Sequence, residues 1–383
     1  MKKLLFVLIL SFRFIAKAQD STSLPHQFEV NGYLKNMQTL SFDKDLDLVT
    51  NANLLHNRIN LRWKPSSKFT HVVEIRNRLF WGEQIKLTPN FASLLKNENE
   101  KINLQKVWFN QPSMVLLSNV ERLYSDYKTE RLNIRLGRQR INWGVNTTWN
   151  PNDIFNSYNF LDFDYEERSG VDAAKLSYIL KNSLQTELAY AKTGQIDGDI
   201  LALKSSVNKW NYDFQLITGW YRNHATVGAG WAGAIKDAGF KGEIQYYFKN
   251  RDSTSHLNLS LESDYLFKKG WYLNVGLLLN SKGTHQPLGN FNDLNLNISP
   301  ENLMPTQWNI IVTTAKEINP LFSVNMSVLY TPGTNLMILY PTLQYNLATN
   351  LDASLITQSF FAELNHHFEA VNHQCFLRLK WSY

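Results

Sequence analysis

A single cysteine, Cys375, stands in 383 residues, which excludes an intrachain disulfide framework. Beyond residue 18 no apolar run is long enough for a membrane-crossing helix, which takes about 20 residues. A charge excess is lacking too, once the N-terminus is set aside. Lys2, Lys3, Arg13 and Lys17 lie in residues 1–18 and no acid does, so the formal charge falls from +6 to +2 for residues 19–383. The pI near 9.1 therefore does not argue for a nucleic-acid partner. Glycine (18) and proline (11) are modest, and aromatics make up 13%. That composition excludes a disordered chain, and its Tyr, Trp, Phe and Thr favour strands.

The first 18 residues have the shape of a secretory signal: Lys2-Lys3, an apolar stretch from Leu4 to Ile15, then Ala16-Lys17-Ala18. The apolar stretch is too short to span a bilayer. No cysteine follows the expected cleavage point, which argues against a lipoprotein. Residues 19–383 are expected to form one domain.

From Gln27 onward one segment type recurs, about ten residues of strict alternation bounded by turn residues. In β-like order, Ile59, Leu61 and Trp63 alternate with Arg58, Asn60, Arg62 and Lys64. Leu257, Leu259 and Leu261 alternate with Asn258, Ser260 and Glu262, and the chain ends on Leu377, Leu379, Trp381 and Tyr383. Soluble antiparallel sheets alternate as well. Here, though, Arg and Lys occupy the opposite face, and a closed sheet tolerates that only around a wet lumen. Every second connection is tight, as at Pro65–Ser67 and Lys268–Gly270. Between them fall long ones: Gly82 to Leu116, Asn142 to Ser169 and Lys282 to Pro305. Trp63, Trp81, Trp271, Trp308 and Trp381 sit near segment ends, where interfacial girdles lie. The expectation is an all-β, transmembrane antiparallel β-barrel of about 18 strands, with 16 within the boundary error. Tight turns and both termini would be periplasmic and the long loops extracellular. Outer-membrane lipid is the implied surroundings. The apolar last strand, ending in an aromatic, resembles the signal read by the barrel-assembly machinery.

The stretch Arg135–Asp172 breaks the alternation. A strand around Leu132, Ile134 and Leu136 and another around Ala174, Leu176 and Tyr178 flank a long loop rich in Asn, Asp and aromatics. A loop of that length is functional or disordered, and Trp143, Trp149, Phe155, Tyr158 and Phe160 argue for order. Within it, Gly137-Arg138-Gln139, Asn142-Trp143-Gly144, Asn150-Pro151, Asp153, Glu167-Arg168 and Asp172 resemble the signature of porin-like outer-membrane barrels of the Bacteroidota. Those families carry a domain-of-unknown-function label and are similar to phosphate-selective and alginate-export porins. The motif covers about a tenth of the chain. The resemblance implies a pore or transport role and names no substrate.

Other constellations have plainer explanations. His366, His367 and His373 lack an acidic or cysteine ligand set beyond Glu369, and solvated loop histidines account for them. Asp162, Asp164, Glu166 and Glu167 lack the glycine-punctuated spacing of a calcium loop. No nucleophile elbow or Ser/His/Asp set stands out. Neither an enzyme nor a cofactor is therefore expected. With apolar positions facing lipid, Arg58, Arg62, Lys64, Glu74, Arg76, Arg78, Arg378 and Lys380 face the lumen. Side chains this long also fill space and pair with each other, and a charge on the lipid face would cost a few kcal/mol, so the cationic wall is partly architectural. The expected pore-lining or constricting residues are Arg62, Arg76, Arg78, Arg135, Arg138, Gln139, Arg140, Trp143, Asp153, Asp172 and Arg378. Trp143, Trp149 and Phe155 would anchor the loop, Asp153 and Asp172 would meet Arg138 or Arg140, and the acids at 162–167 would face Arg62, Arg76 and Arg78. The function expected is passive diffusion of small polar or anionic solutes. The alternative is a non-conducting structural barrel, or one that helps to assemble or export surface polysaccharide.

Overall fold

The computed structural model describes residues 27–96, 100–156, 169–180, 184–195, 198–250, 254–290 and 298–383. Period-two alternation dominates them, and the result is a sheet of nineteen antiparallel strands. The first are β1 (Gln27–Phe42), β2 (Val49–Lys64), β3 (Phe69–Trp81), β4 (Gln105–Gln111), β5 (Met114–Lys128) and β6 (Leu132–Gln139). They are followed by β7 (Val171–Ile179), β8 (Gln185–Lys192), β9 (Ile200–Lys209), β10 (Tyr212–Tyr221), β11 (His224–Ile235), β12 (Ala238–Tyr247) and β13 (His256–Leu266). The last six are β14 (Trp271–Asn280), β15 (Trp308–Asn319), β16 (Phe322–Thr331), β17 (Leu336–Ala348), β18 (Leu351–Leu364) and β19 (His367–Ser382).

The sheet closes where β19 pairs with β1, with Leu34 opposite Trp381 and Asn36 opposite Leu379. Because β3 bonds directly to β5, eighteen strands form the ring and β4 is an addition to it. The two faces separate as the alternation requires. Leu136, Leu176, Leu188, Leu201, Leu216, Leu377 and Leu379 lie exposed on the outside, while Lys35, Arg58, Glu187, Glu243 and Glu262 are buried within. An apolar exterior around a polar interior is the mark of a membrane barrel, and the fold is that of an outer-membrane barrel. Trp63, Trp271 and Trp308 are exposed near strand ends.

β4 explains how the wall survives an interruption. β6 pairs with the lower half of β5, from Leu123 opposite Arg138 to Lys128 opposite Asn133. At Gln139 the chain leaves the sheet and turns into the lumen. Above that point β4 takes the vacant edge of β5, with Gln105 opposite Asn119 and Gln111 opposite Met114. Sequence alternation places no strand inside the Gly82–Leu116 loop, which also carries two short helical turns, Glu83–Leu87 and Phe91–Leu94. A bulge at Glu121, between the pairs Glu74–Arg122 and Ile75–Val120, turns two successive side chains, Glu121 and Arg122, out of water.

The tight turns collect at one end of the barrel, but the opposite rim is less uniform than the spacing predicts. β10 and β11 are joined by Arg222-Asn223, and β18 and β19 by Asn365-His366. Asn365 and His366 both adopt the left-handed conformation of a two-residue hairpin. His366 thus belongs to a tight turn and His367 opens β19, so neither lies in a long loop. His373 lies in β19, bonded to Ser359 Oγ at 2.9 Å.

Candidate functional site

Residues 140–156 enter the barrel and lie against one arc of its inner wall. The arc is built for them. On strands β8 to β14 several inward positions facing the loop are small, namely Ala189, Ala191, Ala202, Gly228, Gly230 and Gly276. A Cβ at Gly230 would sit 2.8 Å from Asn152 Nδ2. Into that bed the loop presses Ile141, Trp143, Ile154 and Phe155, each no more than 2% exposed. They pack with Val171, Ile200, Ile217, Tyr221 and Tyr247. Trp143 and Phe155 meet edge to face at 5.0 Å. Burying each such aliphatic or Phe side chain is worth roughly 2 kcal/mol.

The polar half of the docking is carried by wall carboxylates that accept from loop backbone. Glu243 Oε1 accepts from the N–H of Val145 at 2.5 Å and of Asn146 at 2.8 Å, and its Oε2 from that of Asn152 at 2.9 Å. Glu262 Oε2 accepts from the N–H groups of Thr147 and Thr148 at 2.8 and 3.2 Å. Two neighbouring carboxylates so satisfy five backbone donors that a structureless loop would otherwise leave bare. Asn146 Nδ2 donates to Ser260 Oγ, Gln215 Nε2 to the carbonyl of Trp143, and Asn152 Nδ2 to that of Ala229. Trp143 Nε1 donates to Glu187 Oε2 at 3.3 Å, and Lys204 lies 2.9 Å from the other Glu187 oxygen.

The expected anchoring rings, Trp143, Trp149 and Phe155, are all buried. The expected ion pairs divide. Asp172 meets Arg138, at 2.9 Å to Nε and 3.1 Å to Nη2. Asp153 is engaged by its own turn. Its Oδ1 accepts from the N–H groups of Trp143 and Gly144 at 2.5 and 2.6 Å, closing the loop on itself. A carboxylate within its own turn has backbone donors at hand. Asn156 does the same work at the far end, accepting from Ile141 N–H and donating to Ser169 O. The expected partners at 162–167 lie outside the described residues.

Arg138 marks the departure point. It is 2% exposed and also binds Glu100 at 2.8 Å and the carbonyls of Val120 and Ile102. Beside it the Gln139 amide donates to the carbonyls of Arg135 and Ala173. Gln139 is wholly buried and ties β6 to β7. Arg140 Nη2 donates to Asn142 Oδ1 at 2.8 Å. Arg135 stacks on Tyr124 at 4.5 Å and pairs with Asp126 at 2.9 Å.

The opposite arc, β19 and β1 to β5, is lined by cations. Lys35, Arg58, Arg76, Arg78, Arg122, Arg378 and Lys380 stand there with two carboxylates, Glu74 and Glu121. Arg76 binds Glu121 at 2.9 Å, Arg58 binds Glu74, and Arg378 donates to Ser354 Oγ at 3.2 Å. Lys35 and Lys380 both lie over the ring of Tyr33. Arg62 sits apart from this group. It is half exposed near the tight turns, where it shares Glu29 with Lys64.

A second inward segment was not anticipated as such. Residues 281–290 and 298–307 carry Leu288, Leu303 and Met304 into a cluster with Trp149, Leu278, Ile311 and Ile338. Asn280 Nδ2 donates to the carbonyl of Met304, and Tyr247 Oη and Asn258 Nδ2 donate to that of Pro300. The readable signal was Leu303-Met304-Pro305, an apolar island inside a polar loop.

No protein-family model matches the chain, and no curated protein matches it in sequence. Solved structures do match in fold. OccAB4 of Acinetobacter baumannii aligns with a TM-score of 0.58 at 10% identity, over 93% of this chain and 98% of that one. OccK11 (OpdR) of Pseudomonas aeruginosa gives 0.57 at 10% identity, over 93% and 95%. OccK2 (OpdF) of P. aeruginosa, solved in complex with glucuronate, gives 0.60 at 7% identity, over 93% and 98%. The chain therefore shares the barrel of the Occ and Opd porins.

Proposed function

We propose that this chain is an outer-membrane channel for passive diffusion of small polar or anionic solutes. It acts as a channel rather than as an enzyme. The observation that carries the proposal is the facing of two unlike walls. The segment 140–156 is docked on one side, and Arg78, Arg378 and Lys380 line the other, backed by the buried Arg58 and Arg76. A solute passing between them meets fixed cations on one flank and a rigid, largely neutral shelf on the other. Opposed surfaces of that kind orient dipolar solutes and favour anions. Small carboxylates are the class best suited, because guanidinium groups bind them in two-point contacts. Glucuronate in OccK2 is a carboxylate of this kind. Arg62, Arg135, Arg138, Gln139, Arg140, Trp143, Asp153 and Asp172 would shape or hold the constriction.

The same proposal includes a cleaved signal over residues 1–18, one barrel domain over 19–383, and insertion by the barrel-assembly machinery. It places the chain among the Bacteroidota porin-like families whose motif it resembles. Tight turns such as Pro65–Ser67 would be periplasmic. Purified protein in planar bilayers tests the function. Stepwise conductance with a reversal potential displaced toward anions is expected. Silence from a folded, heat-modifiable barrel would overturn it in favour of a non-conducting assembly or export barrel.

A further inference from the structure

The outer surface of a membrane barrel normally offers lipid a smooth apolar band. Near the tight-turn rim, β13, β14 and β15 instead form a groove of about 640 Å³. Tyr265, Phe267, Trp271 and Leu273 line it, and Lys268 and Lys269 stand at its edge. The register fixes this arrangement. Tyr265 pairs with Leu273, and Trp271 pairs with Lys316, whose ammonium lies 5.1 Å from the Trp271 ring centre. Phe267 and Trp271 are nearly half exposed. Lys268 and Lys269 thus line one apolar trough whose Trp271 carries Lys316, and among the described residues none of the three forms an ion pair.

A second groove on the same rim supplies the contrast. It measures about 600 Å³ and is lined by Phe28, Leu61, Trp63, His71 and Val73. The cations beside it on β2, Arg62 and Lys64, point to the other face of the sheet, where Glu29 holds both, at 3.3 and 2.7 Å. Only Lys68, in the adjoining turn, is left. Size and apolarity are alike in the two grooves, and uncommitted positive charge distinguishes the first.

We propose that the Tyr265–Trp271 groove is a binding site for an anionic phospholipid of the inner leaflet, phosphatidylglycerol in class. An acyl chain would lie along Tyr265, Leu273 and Trp271, and the phosphate would sit among Lys268, Lys269 and Lys316. Aromatic rings at headgroup depth and clustered lysines are the two elements such lipids are held by. The site rests on the reading of the chain as an outer-membrane barrel with periplasmic tight turns, but not on conduction.

Native mass spectrometry of the detergent-purified barrel, offered an equal mixture of phosphatidylglycerol and phosphatidylethanolamine, tests it. One phosphatidylglycerol retained in preference is expected. Each lysine near a charged lipid surface contributes on the order of fivefold. Lys269→Gln alone should therefore weaken retention about fivefold, and the triple change Lys268→Gln, Lys269→Gln, Lys316→Gln by roughly a hundredfold. Trp63→Leu, in the second groove, should leave it unchanged. Equal retention of the two lipids, retention of lipid A alone when that is added, or a triple variant that still holds phosphatidylglycerol would overturn the site. Conductance measured on the same preparations keeps the two proposals separate. A silent barrel that holds phosphatidylglycerol refutes only the channel.

Discussion

The two arcs of the inner wall solve the same problem in opposite ways. Around β19 and β1 to β5, long cationic side chains fill the lumen, and carboxylates such as Glu74 and Glu121 neutralise part of the charge. Around β8 to β14 the wall retreats at several positions to alanine and glycine, and chain from elsewhere fills the space. The charges follow. On the first arc acids serve arginines. On the second, Glu243 and Glu262 serve backbone N–H groups of the docked segment. Glu74 and Glu121 are thus counter-ions and Glu243 a latch, while Glu187, between Lys204 and Trp143, is both.

The largest effect should come from the hinge between the arcs. Arg138→Ala takes the Arg138 cation from buried Glu100 and part-buried Asp172. Losing one partner of a buried pair costs about 3–5 kcal/mol. Urea unfolding of the barrel in lipid vesicles should show a loss of that order, and a change below about 1 kcal/mol would mean the network is dispensable.

Next comes the latch. Glu243→Ala strips three buried donors of their acceptor, at about 1–3 kcal/mol for each group left unpaired. The barrel should still form, because the ladder hydrogen bonds do not involve that side chain. The segment should loosen, seen as protease cleavage within 140–156 that the wild type resists. Glu243→Gln keeps an acceptor oxygen and should lie between the two. Overfilling the bed is milder. Gly230→Val thrusts a branched side chain at Asn152, and overpacking of this kind costs roughly 1–3 kcal/mol. Faster hydrogen exchange at residues 145–152, with exchange on β1 to β3 unchanged, is the expected readout.

Smaller still are changes on the cationic arc. In a water-filled lumen each fixed charge is worth on the order of 1 kcal/mol to a passing ion. Arg78→Gln with Arg378→Gln should reduce the anion-to-cation permeability ratio severalfold and leave stability nearly as it was. Arg62→Gln should do least. Its pair with Glu29 is half exposed, and such pairs contribute about 0–1 kcal/mol.

The barrel was legible because a period of two records which side faces lipid. The segments around Ile59, Ile134, Leu176, Leu259 and Leu379 fall on β2, β6, β7, β13 and β19, and the ring has the eighteen strands expected. β4 escaped, since its burial does not alternate cleanly and it pairs on one edge only. The docked segment was legible as ordered through its aromatics, but its destination was not. A sequence read for charge sends acids toward arginines. In fact Asp153 was taken by its own loop, and the receiving wall was marked by small residues. Ala189-Tyr190-Ala191 and Gly228-Ala229-Gly230 show large or neutral groups facing out and almost nothing facing in. That pattern is visible in the sequence, and it says that something else must occupy the space.

Single-channel conductance of Glu243→Ala/Glu262→Ala beside wild type, in the same bilayer and salt, tests the central claim most directly. If the docked segment narrows the lumen, releasing its five backbone anchors should give larger and noisier steps, with bulky solutes admitted faster. Unchanged conductance from a folded double variant whose 140–156 segment is demonstrably loosened would contradict the claim.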